Sequence, residues 1–253
     1  MNLQGGLFLW ADGWLLMAGP IHNRPHRHVA ASLLFGLDQM LSAQVAGDRV
    51  VARALLVAPD VEQSLDSAGA TMVVHLDPDS PLWLPLRGLL VNGHAQLDWG
   101  DEQAARFRQL ADSASSEPAH DLLASLLQGA PADGGPERPV DPRAMALASR
   151  LRTELPEQLN LTEIASQLGL SAARLSRLFR EAFGVTPKRF LLHLKIQGAL
   201  HCWQPGISAA ELAMRAGFYD QPHLIRTARE MFDTLPSALM GNPAFRLIRA
   251  SQR

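Results

Sequence analysis

Cysteine is almost absent from this chain. Cys202 is the only one in 253 residues, which excludes an intramolecular disulfide and fits a reducing cytoplasm. Long apolar runs are missing too. The stretch from Leu7 to Pro20 is broken by Asp12 and has no basic prefix, so it reads as neither a signal peptide nor a membrane span. No Ser/His/Asp arrangement, phosphate-binding loop or paired-carboxylate site can be found, and catalysis is therefore not expected.

Charge is present but unevenly spread. The formal net charge of −2 conceals an acidic half, residues 1–140 at −8, and a basic half, residues 141–253 at +6. Such a split is the footprint of a protein in which only the second half meets phosphate. Between the halves, Gly129 to Pro139 holds three Gly and three Pro with few apolar side chains, which reads as a linker. The expected division is a first domain over 1–128, a linker over 129–140 and a second domain over 141–253.

The second half contains a pattern that occurs twice. LTEIASQLGLSAARLSRLFREAFGVTP runs from Leu161 to Pro187, and ISAAELAMRAGFYDQPHLIRTAREMFDTLP from Ile207 to Pro236. Before the central turn the offset is 48, pairing Ala165 with Ala213 and Gly169 with Gly217. After it the offset is 49, pairing Leu175 with Leu224, Arg177 with Arg226 and Phe183 with Phe232. Self-similarity that survives a one-residue insertion marks a repeated structural unit. Gly169 and Gly217 stand where a helix must stop and turn, and Ser171 and Ser208 are placed to cap the helices that follow. Two helices joined by a short Gly-containing turn define a helix-turn-helix.

The longer helix of the first copy buries Leu175, Leu178, Phe179 and Ala182. Its other edge carries Ala173, Ser176, Arg177 and Arg180, a spacing suited to the major groove, where Arg grips guanine O6 and N7. In the second copy that edge is Pro222, Ile225, Arg226 and Arg229, with Gln221 and His223 beside it. It is poorer in hydrogen-bond donors, so the Arg177 unit is expected to dominate sequence choice.

On these residues the region from about Leu161 to Met240 resembles the DNA-binding domain of the AraC/XylS family of bacterial transcription regulators. The pieces that carry the resemblance are I-A-x-x-L-G-L-S-x-x-x-L-x-R-L-F in the first copy and L-A-x-x-A-G-F, H-L-x-R and F-D-x-x-P in the second. Ala228 stands where the family usually has Phe, and Asp233 where it usually has Gly. The resemblance implies two helix-turn-helix units held by a linker helix, here about Pro187 to Trp203, entering successive groove segments about 34 Å apart. Ser176, Arg177, Gln221 and Arg226 become the base-edge candidates. Arg174, Arg180, Lys188, His223 and Arg229 supply contacts to the backbone or nearby charge.

In the first half, short apolar runs such as Leu7–Trp10, Trp14–Met17, Ser32–Gly36, Val50–Ala58 and Thr71–Leu76 alternate with turn residues, which predicts a small antiparallel β barrel or sandwich. Two apolar-faced helices follow Trp99, placed either to cover the barrel or to form a dimer surface. The family resemblance implies a cupin-like sensor here, and Pro25-His26-Arg27-His28 is similar to the H-x-H of a metal-binding cupin. Ala30, Ala31 and Ser32 occupy the place of its carboxylate, and the chain after Pro59 offers no third His. Two imidazoles alone rarely hold a metal, so no metal or cofactor is expected. Trp10, Trp14 and Trp83, with Arg24, His26 and His28, are the candidates for lining a small-ligand pocket, and the same tryptophans could equally fill the core.

The chain therefore reads as an α+β, two-domain cytoplasmic transcription regulator: a cupin-like β domain that senses a small effector or mediates homodimerisation, and an all-α double helix-turn-helix domain. Double-stranded DNA and RNA polymerase are the expected partners, with no membrane. The alternatives are a metal-dependent cupin enzyme fused to a DNA-binding domain, and a ligand-independent regulator controlled by a protein partner.

Overall fold

The computed structural model describes residues 5–110, 113–129, 139–232 and 245–250. They divide into two compact units, one made of residues 5–129 with 245–250 and the other of residues 139–231. Most of the 129–140 linker, together with Asp233 and Pro236 of the family pattern, lies outside the described residues.

The first unit is built on strands β1 (Gly5–Trp10), β2 (Gly13–Ala18), β3 (Ile21–His22), β4 (His26–Arg27), β5 (Ala31–Gly36), β6 (Leu41–Val45), β7 (Asp48–Ala52), β8 (Ala54–Val57), β9 (Glu62–Ser67), β10 (Thr71–Leu76) and β11 (His94–Leu97). Helices α1 (Asp101–Arg108) and α2 (Glu117–Gln128) follow. A seven-stranded sheet has the order β11-β8-β5-β10-β2-β1-β12, where β12 is Phe245–Arg249, and a second sheet has β3-β9-β6-β7 with β4 also paired to β9. The run Val50–Ala58 is thus two strands, β7 in one sheet and β8 in the other. Arg53 sits at the crossing and ties it down, its guanidinium donating to the Gly36 and Leu37 carbonyls and pairing with Asp101. Ala46 and Gly47, both with positive φ, form the two-residue loop between β6 and β7, the twist-matched way to close a hairpin.

Helices α1 and α2 cover one face of the large sheet. Ala104, Phe107, Ala119, Leu123 and Leu127 join Phe8, Phe35, Val74 and Trp99 in a single buried cluster. Of the two roles open to these helices, covering the sheet is the one the packing shows.

The last strand, β12 (Phe245–Arg249), lies at the edge of that same sheet. It runs parallel to β1, with Leu7 opposite Leu247, Phe8 opposite Ile248 and Leu9 opposite Arg249. Two expectations are changed by it: the sheet is not wholly antiparallel, and residues assigned by sequence to the DNA-binding half complete the other unit. The physical reason is the edge of β1, whose backbone groups need partners, and the apolar Ile248, which is 5% exposed in the sheet's core cluster. Ser116 fastens the join, its hydroxyl donating to Leu9 O and its N–H to Arg249 O.

The second unit is all helix: α3 (Pro142–Glu154), α4 (Leu161–Gln167), α5 (Ala172–Phe183), α6 (Pro187–Cys202), α7 (Ala209–Arg215) and α8 (Gln221–Phe232). Every one of these helices opens on a short polar side chain. Asp141, Asn160, Ser171, Thr186, Ser208 and Asp220 accept hydrogen bonds from the backbone N–H of Arg143, Glu163, Arg174, Arg189, Glu211 and His223 respectively. No helix among the described residues is long and apolar enough to cross a membrane.

Substituting Ile248→Ala removes buried atoms from the β1–β12 join and is expected to cost about 2–4 kcal/mol. Hydrogen exchange should accelerate in β1 while α5 amides stay protected; unchanged β1 protection would show that β12 does not hold the sheet edge.

Candidate nucleic-acid interface

The two helix-turn-helix units superimpose in their local chemistry. In each, a left-handed glycine ends the first helix, Gly169 at φ 67° and Gly217 at φ 73°. The residue after the glycine then bonds back to the matched alanine, Leu170 N–H to Ala165 O and Phe218 N–H to Ala213 O, both at 2.9 Å. Ser171 and Asp220 next cap α5 and α8, placing the single extra residue of the second turn at Tyr219. Ala165 and Ala213 are buried, as close crossing of the helix pairs requires.

Helix α5 buries Leu175, Leu178, Phe179, Ala182 and Phe183, so its opposite edge faces solvent. Arg174, Arg177 and Arg180 are exposed there and Ser176 is half-buried. Helix α8 buries Leu224, Thr227, Ala228 and Met231 and exposes Gln221, Pro222, Arg226 and Arg229. Ala228, the departure from the family's Phe, is 1% exposed, so its small side chain is packed rather than leaving an open hole. His223 is half-buried with its ring edge-on to Phe218 at 5.2 Å, which gives it a packing task at the start of α8.

One residue near this edge was not signalled by the motif. Glu181, one turn beyond Arg177, holds its guanidinium at 3.3 Å in an exposed pair. A carboxylate there repels phosphate and competes for the side chain proposed to read a base. The i, i+4 spacing was visible in the sequence, but it is common on solvated helix faces.

Helix α6 fixes the separation of the two units. It is buried on nearly every side, through Phe190, Leu191, His193, Leu194, Lys195, Ile196, Gln197 and Ala199. Phe190 packs with Phe179 and Phe183 of α5 at 5.4 and 6.4 Å between ring centroids. Lys195 is 3% exposed and donates to Glu157 O, and burial pushes its ammonium below the usual lysine range. Lys188, in the first turn of α6, is exposed. Asp141 receives two N–H bonds from the Arg143 guanidinium and one from its backbone. Those bonds, with the positive charge of Arg143 and Arg174, hold its carboxyl down to about 2.

The residues expected to line a ligand pocket separate into two groups. Trp10 and Trp83 belong to the cluster beneath α1 and α2, Trp10 lying edge-on to His120 at 5.4 Å. Trp14 lies against His75 instead, with ring centroids 4.0 Å apart, and His75 meets His28 at the same distance. His26 donates from Nδ1 to Arg24 O and shares a 2.7 Å hydrogen bond between its Nε2 and that of His28. Ser32 and Trp14 flank His75 on the neighbouring strands β5 and β2, and Ser32 accepts a bond from Gln63 of the second sheet. His75, Ser32 and Gln63 were not singled out by sequence, because strand register alone brings them to His28. Arg24 is exposed. Among the described residues no group of three or more His, Cys, Asp or Glu is arranged to hold a metal ion.

Two capped helix-turn-helix units of matching geometry, each presenting arginines from its second helix, define the architecture of a DNA-binding domain. Comparison with known proteins narrows the class. Residues 164–242 match the helix-turn-helix domain family. The chain is 27% identical over 179 residues to the HTH-type transcriptional activator RhaS of Escherichia coli O139:H28, covering 70% of this chain and 64% of that protein. RhaS of Yersinia pestis is 26% identical over 195 residues, 76% of this chain and 70% of the relative. The chain thus spans about two thirds of the length of these relatives. In fold it matches ToxT from Vibrio cholerae over 91% of this chain and 98% of that one, with a TM-score of 0.60 at 10% identity. A second ToxT structure, bound to (E)-4-(8-methylnaphthalen-1-yl)but-3-enoic acid, matches at a TM-score of 0.64, also at 10% identity, over 91% and 99% of the two chains. These similarities support the resemblance to the AraC/XylS family of transcription regulators that the two motifs carry.

Below about pH 4 the helical unit should lose stability. The depressed Asp141 carboxyl contributes fully above its ordinary value of 3.8, and that contribution is lost as pH falls toward about 2. Asp141→Asn should flatten this acid limb in circular-dichroism melts; an unchanged limb would assign it to other carboxylates. Glu181→Gln should tighten binding to any duplex several-fold at low salt, read by fluorescence anisotropy, and a weaker complex would contradict the competition described above.

Proposed function

We propose that the protein is a sequence-specific transcription regulator that reads DNA with α5 and α8 and is controlled through its β-rich unit. The observation that carries the reading is the paired, solvent-facing placement of Arg177 and Arg226 at matching positions of two matching units. Arg177 and Arg226 are assigned to base edges, with Ser176 and Gln221 beside them. Arg174, Arg180, Lys188 and Arg229 are assigned to the phosphates. His223, occupied with Phe218, is given a positioning role at the backbone.

The two sheets are read as a degenerate cupin-like barrel that senses a small molecule. Support comes from the polar group in which half-buried His26 and His28 meet buried His75, Ser32 and Gln63, and from the fold shared with ToxT, which has been crystallised with an unsaturated fatty acid. Trp14 belongs with that group, whereas Trp10 and Trp83 are assigned to the core. Effector binding would alter homodimerisation, or the presentation of the helical unit to DNA and to RNA polymerase, in the cytoplasm. The RhaS relatives are transcriptional activators, and activation rather than chemistry is the role assigned here. The domains follow as 1–128 for sensing, 129–140 as linker and 141 onward for DNA binding, with β12 returned to the first.

Selection of bound sequences from a random duplex pool will define the operator, and arms with and without oleate or cell metabolite extract will test sensing. On that operator Arg177→Ala and Arg226→Ala should each cost about 1–3 kcal/mol and relax specificity at positions about one helical turn apart. Lys188→Ala should weaken operator and random duplex alike and reduce the salt slope by about one. Equal losses on both duplexes for the arginine variants, or altered footprints at the same bases, would remove the two-groove reading.

A further inference from the structure

We infer that Tyr219 is a DNA-backbone contact of the second unit, its phenol O–H donating to a phosphate oxygen at the rim of the groove segment read by α8. This rests on the DNA-binding role of the two units and goes beyond the residues that the helix motif supplies.

The two turns share one register apart from a single added residue. Leu170 and Phe218 occupy matched places, each bonded back to its alanine, and Ser171 and Asp220 are matched caps. The residue inserted between them is Tyr219. It is the only tyrosine in the chain and is 81% exposed. Packing does not explain it, because Phe218, 5% exposed, already fills the apolar place below the turn. Capping does not explain it either, since Asp220 performs that task.

Position and chemistry supply the role. A recognition helix enters the groove by its N-terminal residues, so the residue just ahead of its cap lies beside the phosphates. Tyrosine is among the side chains that donate to phosphate oxygens, and its ring can lie on a deoxyribose. The reading edge of α8 carries Pro222 and Ile225 where α5 has Ala173 and Ser176, so an added donor answers a shortage specific to this unit. A neutral donor also sits beside the Asp220 carboxylate without forming an ion pair that DNA would have to break.

The competing explanation is a protein-facing surface, because Met214 of α7 is also strongly exposed, at 73%. The two differ in what they demand of the hydroxyl. In the full-length protein, Tyr219→Phe should weaken binding to operator and to random duplex by a similar factor of about three to ten, and Tyr219→Ala by at least as much. The salt slope should stay unchanged, because a neutral group displaces no counterion. Met214→Ala should bind DNA as the parent does. Ethylation interference should reveal one phosphate whose modification blocks the parent protein but not Tyr219→Phe. Nitration by tetranitromethane can be followed at this sole tyrosine, and saturating random duplex should protect it. If Tyr219→Phe binds both duplexes like the parent, or if DNA leaves nitration unaltered, the inference is overturned. A Phe variant silent on DNA but defective in transcription with purified polymerase would move Tyr219 to a protein surface. Loss of Arg226 function with Tyr219 still protected would fault the base-reading assignment and leave this one standing.

Discussion

The DNA-binding geometry depends on the burial of α6. A helix with one wet face can shift against its neighbours at small cost, whereas α6 is enclosed by α3, α5 and α7 and has almost no free surface. Its sixteen residues span about 24 Å, and both helix-turn-helix units are built directly onto it. Moving one reading helix relative to the other means unpacking Phe190 from Phe179 and Phe183, or withdrawing Lys195 from the Glu157 carbonyl. Buried Lys195 also explains why the helix tolerates a charge at such a site: its single acceptor is a backbone group that would otherwise itself need a partner.

A second constraint comes from β12. Because this strand belongs to the sheet of the first unit, the helical unit is covalently joined to that unit at both of its ends rather than hanging from one linker. The pairing also has a definite register. Ser32, His75, Trp14, Leu9 and Arg249 lie opposite one another in turn across β5, β10, β2, β1 and β12. The polar group around His75 and the strand that follows the second helix-turn-helix in sequence therefore share one transverse row of the sheet, locked at its end by Ser116.

What could be read from the sequence was what local chemistry decides. Asp141, Ser171 and Ser208 cap helices because a short polar side chain suits a helix start wherever it occurs. Gly169 and Gly217 end helices because the left-handed turn demands little else. Helix α6 was placed within one residue by Pro187 and by Pro205-Gly206, and Thr71–Leu76 by its apolar run. What could not be read was decided at a distance. The pairing of β12 with β1 joins residues some 240 positions apart and leaves no local trace. His75 meets His28 only through the register of several strands. Trp10 and Trp14 look alike in sequence, yet the β1–β2 turn at Ala11 and Asp12 sends one toward the helices and the other toward the second sheet.

The same distinction explains the unequal halves of the reading surface. The first unit places three arginines and a serine on or beside one edge but ties Arg177 to Glu181, so part of its positive field is offset before DNA arrives. If Arg177 reads a base as proposed, a bidentate contact returns more than the exposed ion pair gives up. On that assignment the ion pair favours discrimination over raw attraction in the first unit. The second unit has fewer donors on its edge and keeps Arg226 and Arg229, with Gln221 and Pro222 opening α8 beside the turn. On the proposed assignment such a surface contributes one base contact, through Arg226, together with placement on the phosphate backbone. An acidic β-rich unit joined at both ends of the helical one adds to this division of labour, because its net negative charge discourages that unit itself from settling on a polyanion.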